Sequence, residues 1–132
     1  MKRINPKEAP AMFKAAGLRP VRKPGSGRYY YGADGACIVG ALGFAVRGIT
    51  ARQLAPERRG DYVPSTGAIE NGYHGLYLDG LVRGWDGFGP GQEQSEMHRA
   101  GYEDGLAAAE ACFPTLFTYP LQGPTENKEE GK

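Results

Sequence analysis

The chain has 132 residues, 40% hydrophobic and 23% charged. That is one domain of ordinary globular composition, and it excludes a fully disordered chain, a collagen and a coiled-coil rod. The net charge of +1 conceals a split: residues 1–66 carry twelve Lys/Arg against four Asp/Glu, a net of +8, and residues 67–132 carry four against eleven, a net of −7. Either the surface is bipolar or the two halves neutralise each other by packing. No apolar run approaches the roughly 20 residues that span a bilayer, so no membrane partner is read. The opening Met1-Lys2-Arg3-Ile4-Asn5-Pro6 has no apolar signal region, and a cytoplasmic location is expected. There a disulfide between Cys37 and Cys112 is not expected, and core packing is the ordinary role for each.

Asn5-Pro6-Lys7-Glu8 predicts a helix start, with Asn5 as cap, Pro6 in the first turn and Glu8 completing a capping box. The helix runs through Met12 and Phe13 and stops at Gly17. Leu18–Lys23 and Arg28–Tyr31 flank Pro24-Gly25-Ser26-Gly27 and predict a basic β-hairpin. Pro20 makes its first arm an edge strand at best. Gly32–Ala36 reads as a turn with a cap at Asp34. Cys37–Val46 is apolar all round and predicts a buried helix ending near Gly48. A buried strand competes, but Gly and Ala are poor strand formers.

Thr50 is expected to cap a short helix over Ala51–Leu54, and Glu57–Pro64 to form a charged loop. Ser65 or Thr66 then opens one long helix through Trp85. Its row Tyr73, Tyr77, Leu81, Trp85 predicts a core stripe, and the neighbouring row Gly72, Leu76, Gly80, Gly84 a shallow groove. A last helix runs from Gln94 to Cys112, with a second small row of Gly101, Gly105 and Ala109. Two glycine-grooved helices and a connecting loop predict an antiparallel helical hairpin. The expected fold is therefore a single mainly helical α+β domain over residues 1–124, with a disordered polar tail at 125–132.

Tyr77-Leu78-Asp79-Gly80-Leu81, with Phe88 beyond, recurs as Tyr102-Glu103-Asp104-Gly105-Leu106, with Phe113. A duplicated helix with one packing face explains such a repeat. A functional reading would bring Asp79 and Asp104 together as a carboxylate pair. Arg83 stands four residues after Asp79, in the favourable acid-first order for a local ion pair.

Two classes of function follow. The first is a small non-enzymatic interaction protein that meets a charged partner through a basic Tyr-rich hairpin or an acidic helical face. Arg19, Arg22, Lys23, Arg28, Tyr29 and Tyr30 are its candidate anion- or nucleic-acid-binding residues: cations neutralise phosphates and tyrosines stack on bases. The partner would be another protein, a second copy of the chain, a nucleic acid or another polyanion. The alternative is a cysteine hydrolase. Cys37 at a helix start would gain a lowered pKa, His74 or His98 would act as base, and Asp79 or Asp104 would orient the imidazole. Neither class implies a cofactor. The histidines, Asp79, Asp104 and the cysteines lack any metal-ligand spacing, so no metal is expected. The glycine-rich segments match no phosphate-loop pattern.

Overall fold

Asn5 is extended and its side chain accepts from the Lys7 N–H, so the chain turns into a 3-10 turn at Pro6–Glu8 and then α1, Ala9–Ala15. Glu8 makes no capping side-chain bond at α1. Gly17 takes φ +70°, which ends the helix where a side chain would be strained. The computed structural model describes residues 1–22, 35–53, 64–89, 91–92 and 95–114. The second hairpin arm at Arg28–Tyr31, the Asp34 cap and the tail at 125–132 lie outside the described residues.

The first expected strand is present as β1, Arg19–Pro20, but its described partner is not an antiparallel arm. β1 pairs in parallel with β2, Gly35–Ala36, in the register Arg19↔Gly35 and Pro20↔Ala36. Val21 extends the pairing by donating its N–H to the Ala36 carbonyl at 3.0 Å. The segment predicted to be a turn at Gly35–Ala36 is thus a short strand.

α2, Ile38–Ala45, is a helix rather than a strand, and every residue from Ile38 to Phe44 is buried. A side chain at Gly43 would strike Pro64, so α2 and α3, Pro64–Glu70, meet closely there. A 3-10 turn at Ala51–Gln53 follows α2 and ties back to α1 through Ala51 N–H to the Ala16 carbonyl, 3.0 Å.

The long helix expected from Ser65 to Trp85 is two helices. α3 stops at Glu70, Gly72 takes φ +101°, and α4 is Gly75–Asp86. Tyr73 N–H reaches the Ala68 carbonyl and Gly72 N–H the Ile69 carbonyl, a Schellman stop that periodicity alone does not reveal. His74 then caps α4: its Nδ1 accepts from Leu76 N–H at 3.1 Å. α5, Glu96–Cys112, is capped by Ser95, whose Oγ accepts from His98 N–H. Together these elements make a mainly helical α+β fold.

The two glycine rows do interlock, but the helices run in the same direction. A Cβ at Gly80 would collide with the His98 carbonyl and Tyr102 N, and one at Gly84 with the Tyr102 carbonyl and Leu106 N. Conversely, Gly101 lies on the Tyr77 carbonyl and Leu81 N, and Gly105 on the Leu81 carbonyl and Trp85 N. Partner numbers rise together, which an antiparallel pair forbids. The connection explains the difference. Residues 87–95 are long enough to reach about 30 Å, and the 12-residue α4 is only about 18 Å long. The chain therefore crosses back to the start of α4 before α5 begins. The contact pairs lag the repeat offset by about one turn, so the two copies are not side by side.

Trp85, Tyr77, Phe13, Phe44, Ile38 and Leu81 are among the largest fully buried side chains, each contributing about 1.5–3 kcal/mol by burial. Phe13 of α1 stacks on Trp85 at 5.4 Å, and Phe113 closes the other side at 5.5 Å. The glycine contacts yield a direct test. Gly101→Ala gains about 1 kcal/mol of helix propensity but drives a methyl into backbone, so it should destabilise by about 1–2 kcal/mol net. Gly75→Ala, with open space around the added Cβ, should be neutral or slightly stabilising. Urea unfolding of the two variants checks this, and equal midpoints would contradict the packing.

Candidate functional site

Cys37 is the N-cap residue of α2 and is 0% exposed. The backbone N–H groups of Gly40 and Val39 do favour a thiolate there, as a helix start should. Burial outweighs them, and with the charge of Asp86 it pushes the thiol up to about 12. Cys112 is half-buried, and burial pushes it up to about 11. Neither cysteine is an activated nucleophile in this fold.

The histidines and acids are engaged elsewhere. His74 is exposed and serves as the α4 cap. His98 is 1% exposed, and its Nε2 meets Asp79 Oδ2 at 2.8 Å. Its Nδ1 is buried with no hydrogen-bond partner. Cys37 feels the charge of Asp86, whereas His98 is held by Asp79, and these two acids are about 10 Å apart along α4. The Cys–His pairing that a hydrolase needs is not assembled by these contacts.

Asp79 and Asp104 do not form a carboxylate pair. Asp104, 6% exposed, accepts two bonds from Arg3 at 2.9 and 3.0 Å and one from Tyr77 Oη at 2.6 Å. Tyr77 Oη in turn accepts from Ile4 N–H at 2.9 Å. Burial and the Asp104 bond raise the Tyr77 phenol, and the bond to Asp104 raises Arg3. This network pins the N-terminal segment to the α4–α5 pair. Arg83 turns elsewhere: its Nε donates to the Gly89 carbonyl at 2.8 Å and its guanidinium lies over Phe88. Among the described residues no group of three or more His, Cys, Asp or Glu is placed to hold a metal ion. No described helix is long and apolar enough to cross a membrane.

The basic candidates divide. Lys23, Arg28, Tyr29 and Tyr30 lie outside the described residues. Arg22 is half-buried, and its Nε donates to the Trp85 carbonyl at 2.5 Å, near the end of α4. Trp85 Nε1 returns a bond to the Val21 carbonyl at 3.1 Å. Arg22 is therefore tied into the scaffold, where a cation suits the negative end of a helix. Arg19 is exposed on β1. It shares an open cleft of about 670 Å³ with Lys14, Gly17, Leu18, Thr50 and Arg52. Among the described residues the cleft is lined by three cations and no acid. Lys14 and Arg52 are sites that sequence reading missed, because α1, β1 and the turn at Ala51–Gln53 converge only through long-range bonds such as Ala51 to Ala16. The local basic composition was the one available signal.

Comparison with known proteins returns no matching family model, curated protein or solved structure.

The buried thiol makes a chemical prediction. At pH 8 a thiol of pKa about 12 is ionised in about one molecule in 10,000. Iodoacetamide should leave Cys37 unmodified in the folded protein and label it in urea. The linkage has a definite sign. The unfolded thiol ionises from about pH 9 while the folded one stays protonated, so stability falls as pH rises from 9 towards 12. Mass spectrometry after alkylation and urea midpoints against pH check both; rapid labelling of folded Cys37 at pH 8 would contradict the burial.

Proposed function

We propose that this chain is a small non-enzymatic interaction protein that binds an anionic partner, a nucleic acid or another polyanion, through its basic N-terminal half. One observation carries the reading. Lys7, Lys14, Arg19 and Arg52 are exposed and have no acidic partner among the described residues. Two acids of the other half are engaged within the fold: Asp104 by Arg3 and Tyr77, and Asp79 by His98. Part of the +8 excess is thus left facing solvent. Solvated cations of this kind release counterions when they meet phosphates, which gives affinity that depends on salt.

A cysteine-hydrolase reading has no comparable support, since it needs an accessible thiol beside an imidazole. Size-exclusion chromatography with light scattering, with a short single-stranded oligonucleotide and a salt series, tests the proposal. The expected result is a complex at low salt that dissolves as salt rises, with the logarithmic slope close to −0.7 per phosphate neutralised. A chain that passes the column without oligonucleotide at every salt concentration would overturn it.

A further inference from the structure

We propose that the cleft between the end of α1, β1 and the turn at Ala51–Gln53 is a phosphate-binding site, formed by Lys14, Arg19 and Arg52. The inference rests on the anionic-partner reading and narrows it to one group of the ligand and one place on the protein.

Three elements distant from one another in purpose each bring a single cation to the same open cleft of about 670 Å³. Among the described residues none of the three is paired with an acid, and no acid lines the cleft. Like charges gathered in this way repel one another until an anion enters. Three carbonyls at the end of α1 are already hydrogen-bonded within the fold. Gly17 N–H takes the Lys14 carbonyl, Leu18 N–H the Phe13 carbonyl and Ala51 N–H the Ala16 carbonyl.

The donor set fits a tetrahedral oxyanion. Two guanidinium groups supply planar forks for paired oxygens, and the lysine supplies a mobile point charge. Thr50 also lines the cleft, with its Cβ and methyl group on the bare backbone of Gly17. Among the described residues no aromatic side chain lines the cleft. The group these cations recognise is a phosphate rather than a base. Its source is either a nucleic-acid strand or a small phosphorylated molecule, since the open volume admits both.

The test uses the full chain, ¹⁵N-labelled, with inorganic phosphate as one probe and fluorescein-labelled oligo-dT of fifteen nucleotides as the other. The triple variant Lys14→Ala/Arg19→Ala/Arg52→Ala removes only exposed side chains; the single variant Arg52→Ala serves should the triple not fold by circular dichroism. Arg99→Ala, an exposed cation of α5 outside the cleft, is the control for bulk charge. Phosphate should shift the Gly17, Arg19 and Arg52 amides saturably, and the triple variant should lose those shifts while Arg99→Ala keeps them. Oligonucleotide affinity should fall at least tenfold in the triple variant, and its salt slope should drop by about 2. Phosphate binding without oligonucleotide binding would support the site with a small phosphorylated ligand and refute the polyanion reading. Oligonucleotide binding that the triple variant retains in full, with no saturable phosphate shift, would overturn the site and leave the polyanion reading standing.

Discussion

Backbone-to-backbone contact between α4 and α5 is the constraint on which the rest of this structure depends. Four positions without a Cβ, Gly80, Gly84, Gly101 and Gly105, let each helix rest on the other's peptide groups. Small residues spaced by four permit such an approach, and weak Cα–H···O contacts accompany it. The closeness places Tyr77 Oη on Asp104 and Asp79 on His98 across the same interface. Arg3 and Ile4 then bind the Asp104–Tyr77 pair, and Phe13 stacks on Trp85. α1 is thereby docked, and with it one wall of the cationic cleft. A methyl group at the interface would propagate outwards through every one of these contacts.

What could be read in the sequence was what local chemistry decides. Asn5 and Pro6 start the first helix, Gly17 ends it, and the all-apolar run after Cys37 is a buried helix. The stripe Tyr73, Tyr77, Leu81, Trp85 is buried, and the two glycine rows do face each other. Helix direction was not legible, because a small-residue groove packs equally well either way round and the connection between Asp86 and Glu96 is long enough for both. The break at Gly72 was hidden for a related reason. Helical periodicity continues across a Schellman stop when the next helix resumes on the same face.

The site was legible in part. The basic character of the N-terminal half is plain from residue counts, but which cations stay in solvent is a tertiary matter. Arg19 and Arg22 are three residues apart in one strand segment and have opposite fates: Arg22 is held by the Trp85 carbonyl, whereas Arg19 faces the cleft. Lys14 and Arg52 are 38 positions apart and share it. Cys37 shows the same lesson for nucleophiles. Its helix-start position does supply the thiolate-stabilising N–H groups, and desolvation overrides them. The acidic half holds the N-terminus through Asp104.

The most direct test of this account is the direction of α5 relative to α4, read from nuclear Overhauser effects at the glycine Hα protons. The account predicts cross-peaks from Gly101 Hα to Tyr77 and Leu81 and from Gly105 Hα to Leu81 and Trp85. An antiparallel hairpin would instead connect Gly101 with Gly84 and Trp85 and Gly105 with Gly80 and Tyr77. That second pattern would contradict the glycine-locked parallel pair and the docking of every element built upon it.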